Sequence, residues 1–223
     1  MIRRSLDAGD LLIGQTAHAA HAARLAALLR ALPEPREAVV RAVALHDAGW
    51  PLLDDSPEPL PDGRPPHVFD HEAGATVSAW RRSVAVARAS GRLEGLLVSL
   101  HFSAFSPAFA REQAPAQAVW GAGLPAGLAA AGLAVLQLCD SLSLRLLCDP
   151  GERVALPQAF RLAGEALTPW PFDTDLVEDE VAGRLVPRQL WGSAEELQAA
   201  CRAAPWVRVP VRLRRGARRM GPD

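Results

Sequence analysis

Apolar residues, chiefly alanine and leucine, recur at three- and four-residue spacing over Thr16–Leu32, and Pro33 follows, so this stretch predicts a helix with a proline stop. Pro35 and Arg36 open a second helix, which continues through Val39, Val40, Val43, Ala44 and Leu45 to His46-Asp47 and ends at Gly49. Pro51–Pro66 is rich in proline and aspartate, has an Asp62-Gly63 turn, and reads as a loop. Loops of that length inside a compact domain tend to carry function. The helical pattern resumes near Asp70 and runs through Trp80 toward Ala89, with Ser90-Gly91 as the break. Leu93–Phe102 predicts a short apolar helix carrying His101. A Gly/Pro region at Trp120–Gly127 leads into a helix over Ala129–Cys148, ended by Asp149-Pro150-Gly151.

Beyond Trp170 the period changes. Val177–Val186 and Trp206–Leu213 read as strands, the second alternating Val207, Val209, Val211 and Leu213. Arg208 and Arg212 then fall on the opposite, solvent-facing side. Between them, Ser193–Ala203 predicts a helix with Ser193 as N-cap and Glu196 completing a capping box. The expected architecture is mainly α: a helical body over 1–168 and a small C-terminal β or α+β appendage packed on it over 169–223.

Composition narrows the function without choosing it. The chain has 223 residues, 49% hydrophobic and 22% charged, as in an ordinary globular protein able to bury a core. A net charge of -1 gives no general pull toward nucleic acid or an anionic membrane. The basic cluster Arg208, Arg212, Arg214, Arg215, Arg218 and Arg219 has no interleaved aromatics and reads as a solvated tail. Met1–Gly14 lacks the apolar core of a secretory signal, and Trp120–Leu138, the most apolar later run, is broken by glycines and Pro125. Cys139, Cys148 and Cys201 form no C-x-x-C and are odd in number, which fits a reducing cytoplasm. Lysine is absent, so Schiff-base chemistry and a lysine general acid are excluded.

The residues able to do chemistry are His18 or His21, His46-Asp47, His67 or His71, His101 and Asp140, each on or at the end of a different predicted element. Helices in a bundle can aim such side chains at one point and build a metal site there. Imidazole with carboxylate suits Fe or Mn first, then Zn, Ni or Mg. Asp140 lies inside the apolar run Ala134–Leu147, where an ionised carboxylate is costly to bury without a cation.

His46-Asp47-Ala48-Gly49, preceded by apolar Ala42–Leu45, resembles the HD-x-G signature of the HD-domain superfamily. His18-Ala-Ala-His21-Ala-Ala-Arg24-Leu25-Ala26 resembles its upstream helix, and Asp140 resembles the aspartate closing its core. Gln15-Thr16-Ala17-His18, His46–Trp50, Leu97–His101 and Asp140-Ser-Leu-Ser together resemble an uncharacterised bacterial family of HD-like proteins. That resemblance implies an HD-type helical bundle with a metal set of His18, His46, Asp47, His71, His101 and Asp140. Gln15 before His18 favours His18 as the first ligand, whereas the spacing to Arg24-Leu25 favours His21 as its substitute. The two added histidines, His71 and His101, imply a dinuclear site, with Asp47 bridging or orienting the ions and His71 beside it in the catalytic group.

The leading expectation is hydrolysis of a small phosphoester. A mixed-valent di-iron oxygenase with the same ligands is the alternative, and a non-catalytic metal- or ligand-sensing module is a third. Trp50 stands where many catalytic members have Lys or His, so it is expected to wall the pocket. Arg64 could hold an anion bidentately, and His67 could touch substrate. Expected partners are an anionic small molecule and a second copy of the chain in a homodimer, with neither nucleic acid nor membrane.

Overall fold

Two short apolar-rich segments at the start of the chain, Ile2–Leu6 (β1) and Gly9–Ile13 (β2), pair antiparallel with Ile2 opposite Ile13 and Leu6 opposite Gly9. The computed structural model describes residues 1–216 apart from Glu72 and Arg153, so Arg218 and Arg219 of the basic cluster lie outside the described residues. Seven helices follow: α1 (Gln15–Ala27), α2 (Arg36–Leu45), α3 (Pro51–Asp54), α4 (Ala73–Ser90), α5 (Arg92–Ser103), α6 (Pro107–Gly121) and α7 (Leu128–Leu147). Then come β3 (Arg161–Ala163), β4 (Ala166–Thr168), β5 (Leu176–Val186), α8 (Ala194–Ala203) and β6 (Trp206–Arg215).

All six strands form one mixed sheet in the order β1-β2-β5-β6-β4-β3, parallel only between β4 and β6. The expectation of a mainly helical HD-type bundle with a C-terminal appendage is thus corrected to a mixed α/β fold. The sheet takes strands from both sides of residue 168, and its β1–β2 edge comes from the N-terminal segment. The reason is visible in β2. All five of its residues are buried, so it lacks the in–out alternation that marks a half-buried strand. β3 and β4, at three residues each, are too short for any period. The expected alternation does appear in β6, where Val209, Val211 and Leu213 are buried between exposed neighbours.

Side chains from the two faces of the sheet enter different cores. Leu11 and Ile13 pack with Leu147, Cys148, Val181 and Val211 on the helical side. Leu12 and Val186 point the other way, onto Trp191, Leu197 and Ala204, where α8 closes the second face. Ser193 caps α8 by accepting from Glu196 N at 3.2 Å, and the Glu196 carboxylate reaches back to Gly192 N at 3.0 Å. The main core joins α1, α2, α5 and α7 through Leu25, Val39, Val43, Leu97, Leu136 and Leu142. Those four helices pack against one another, and this packing positions the site.

Among the described residues only α7 has the length and hydropathy of a membrane span, and half of that window is buried inside the fold. On β6, Arg212 pairs with Glu178 at 2.9 Å, and Arg208 lies 3.9 Å from Glu180, both partners on β5. That face of the sheet therefore alternates in charge.

Candidate metal centre

Each of the four core helices delivers one part of the site. His18 lies on α1, His46 caps the C-terminus of α2 with Asp47 next to it, His101 sits in the last turn of α5, and Asp140 lies in α7. α2 can end there because Gly49 lets α4 pass. A Cβ on Gly49 would lie 2.0 Å from Ala79 O, and its N–H donates to Ser83 Oγ at 2.9 Å. The glycine of the HD-x-G pattern is therefore required by close backbone approach.

His18 Nε2 lies 2.9 Å from Asp140 Oδ1 and 3.8 Å from Asp47 Oδ2. His46 Nε2 lies 3.3 Å from Asp47 Oδ2 and 3.5 Å from Asp140 Oδ1. His101 Nε2 lies 3.7 Å from Asp140 Oδ2. The His46 ring stands edge-on to those of His18 and His101, with centroids 5.3 and 5.4 Å away. All five residues are buried.

Hydrogen bonds on the far edges of the rings decide which nitrogen faces inward. His46 Nδ1 is 2.7 Å from the Val43 carbonyl, which can only accept, so Nδ1 carries a proton and Nε2 is the nitrogen left to face the carboxylates or an ion. Ser143 Oγ donates to His18 O at 3.2 Å and lies 2.8 Å from Nδ1 of both His18 and His21. With its own proton committed to that carbonyl, Ser143 Oγ accepts from both rings, and His18 also turns Nε2 inward. The Nε2 atoms of His18 and His46 and two carboxylates then face one another in a buried space, an arrangement that favours positive charge there, from a metal ion or from protons on the rings. His46 Nε2 is buried with no hydrogen-bond partner. His18, His46 and Asp140, whose ligand atoms lie within 4.8 Å of one another, are positioned to bind a metal ion.

Electrostatics point the same way. Burial lowers the His46 pKa, but Asp47 and Asp140 outweigh it and raise the imidazole well above its ordinary value. Burial raises the Asp140 pKa, yet His18, His46 and His101 hold its carboxyl well below the usual range. His101 is pushed down to about 4, chiefly by burial. Positive charge is favoured at the centre of the cluster, beside Asp47 and Asp140.

Above the cluster is a cavity of about 190 Å³ whose walls are Trp50, Val68, Phe69, Trp80, Phe102 and Phe105. None of its lining residues among those described is an arginine.

The other predicted residues lie elsewhere. His71 packs edge-on against Trp50 at 5.5 Å and is not among the residues lining the cavity. Burial, then the Met1 ammonium group, lowers its pKa. Arg64 is half exposed and pairs with Asp62 at 2.7 Å, away from the cavity. His67 is buried beside Cys148 and Glu152. His21 shares Ser143 with His18 but turns Nε2 toward Asp179, 4.0 Å away, so His18 is the one on the cluster. Burial depresses the His21 pKa to about 4. Sequence reasoning missed Ser143, although it sits three residues after Asp140 and hence on the same helix face. It also missed the aromatic wall, because Phe69, Trp80 and Phe105 come from separate segments.

The family described as "Protein of unknown function (DUF3891)" has a model that matches residues 1–188. The chain belongs to that family. The match takes in every residue of the cluster, from His18 to Asp140, and stops short of α8 and β6. No curated protein and no solved structure matches the chain.

Proposed function

We propose that the chain is a metal-dependent phosphohydrolase acting on a small phosphoester whose organic part is apolar. The unpartnered His46 Nε2, facing Asp47 and Asp140 in a buried space, carries this reading. The resemblance of His46-Asp47-Ala48-Gly49 to the HD signature supports it. A divalent ion, with iron or manganese the first choice, would be held by His18, His46, Asp47, His101 and Asp140. Bound there it would supply charge that polarises a phosphoryl oxygen and lowers the pKa of water.

The residues do the rest. Ser143 and the Val43 carbonyl hold the outer edges of His18 and His46 and so keep their Nε2 atoms facing inward. Asp47, beside the cavity floor, accepts the proton of the attacking water as its oxygen bonds to phosphorus and the ester P–O bond breaks. The leaving alcohol departs with a proton from solvent. Trp80, Phe102 and Phe105 hold the organic group and exclude water.

A di-iron oxygenase is the second reading. What favours it is the cavity itself, aromatic and without a cationic side chain among its described lining, which suits an apolar C–H substrate as well as a phosphoester. Purification without chelator, metal analysis and assay with aryl phosphoesters separate the two. Redox-inert metal or manganese with phosphoester turnover, lost in His46→Ala and Asp140→Asn, is the expected result. A mixed-valent di-iron signal with substrate oxidation establishes the second reading. Unchanged metal content in both variants overturns the site.

A further inference from the structure

We infer that His67, Cys148 and Glu152 form a second metal site, for a zinc-class ion, which ties the wall of the cavity to the end of α7. Cys148 Sγ lies 3.9 Å from His67 Nε2, and Glu152 Oε2 lies 3.1 Å from the same nitrogen. Their ligand atoms fall within 4.8 Å of one another. His67 and Cys148 are 2% and 3% exposed, and Glu152 Oε2 is shielded from water without a hydrogen bond.

Three local features place these atoms. Cys148 is the C-cap of α7, and its N–H still bonds to Leu144 O at 2.8 Å, so its side chain projects from a fixed helix end. The chain turns at once, with Glu152 N donating to Asp149 O at 2.9 Å, and brings the carboxylate back over the thiol. His67 comes from the distant loop, where Asp70 accepts from its N–H at 3.1 Å and Arg3 bonds to Pro65 O. Phe69 N–H donates to His67 Nδ1 at 3.4 Å, a long hydrogen bond. An ion on Nε2 takes the place of that weak bond, the ring then carrying its proton on Nδ1.

Thiolate, imidazole and carboxylate together select zinc or cobalt over the harder ions suited to an all His/Asp set. Binding releases the Cys148 proton to solvent, and water completes the fourth position. Asp140 and Cys148 lie about 12 Å apart along α7 at about 1.5 Å per residue, so this is a separate site and not a second ion of the first cluster. Val68 and Phe69 line the cavity directly after His67, so an ion here fixes the cavity wall.

Cobalt(II) titration of the chelator-stripped full chain tests this, since thiolate ligation gives a near-ultraviolet charge-transfer band that His and Asp cannot produce. The band is expected in the wild type, in Asp140→Asn and in Cys139→Ser, and is expected to vanish in Cys148→Ser. A wild type without the band, or a Cys148→Ser variant that keeps it, overturns the proposal. Should Cys148→Ser prove misfolded by circular dichroism, Glu152→Gln decides. Cobalt affinity reported by the band should fall at least about tenfold in that variant, and unchanged affinity rejects the site.

Discussion

Ser143 holds its hydroxyl oxygen 2.8 Å from His18 Nδ1 and so fixes which edge of the ring faces Asp140. Partners of this kind orient a metal ligand without touching the ion, and losing one commonly weakens metal affinity by about 10–100-fold. Ser143→Ala should therefore fold, bind metal more weakly by that factor in a chelator competition, and recover little with excess metal at low pH. Wild-type affinity in that variant would show that the ring is oriented by packing alone.

Gly49 should tolerate no side chain. Its Cβ would strike the Ala79 carbonyl oxygen, a backbone atom that cannot swing away, so α4 would have to move. Gly49→Ala should cost about 1–3 kcal/mol, as overpacked cores do, read as a lower urea midpoint with an unchanged slope. Ser83→Ala, which removes only the hydrogen bond to Gly49 N, should cost less.

Acid should destabilise the metal-free protein. Burial holds His21, His67 and His101 near pKa 4, so in the fold they stay neutral down to about that pH. In the unfolded chain they take up protons below about 6.5. Between those values the unfolded state binds more protons, so stability is full above 6.5 and is lost as pH falls toward 4. His46, raised by its carboxylates, works in the opposite direction: its contribution is present below about 6.5 and fades as pH rises through its folded pKa. His71, also lowered by burial, adds to these, so four histidines oppose one; the urea midpoint should be lower at pH 5 than at pH 7, and His67→Gln should shrink that gap. A midpoint that rises on acidification would contradict the balance.

Metal content should separate His101 from His71. His101 Nε2 faces Asp140, whereas His71 sits behind the indole of Trp50. His101→Ala should lower the metal retained after dialysis, and His71→Ala should leave it unchanged. Equal losses in both would restore His71 to the ligand set.

The helices were legible in the sequence wherever one face is apolar and the other polar, as in α1, α2 and α7. His46-Asp47, His18, His101 and Asp140 were legible because each is a polar residue set in an apolar run. β2 was not, since a strand buried on both faces has no alternation to read. α6 was not expected at all: Phe109 is its one fully buried residue, and Pro115 lies within it. Arg64 misled because a loop arginine beside a proposed anion site looks the same as one paired with its neighbour Asp62. The cluster of Cys148 and Glu152 with His67 joins segments far apart in sequence, and only the fold brings them together.

The sheet order has a bearing on how the chain acquires its structure during synthesis. β2 leaves the ribosome early, yet the strand that satisfies its outer edge is β5, made after all seven intervening helices. Until then the hairpin presents an open row of amides and carbonyls flanked by Leu11, Leu12 and Ile13, the kind of edge that recruits other chains. The helices can collapse first through contacts local in sequence, whereas closing the sheet requires a long loop to find its partner and should set the pace. Expression yield should therefore depend more on slowing or chaperoning that late step than on any stabilisation of the helical core.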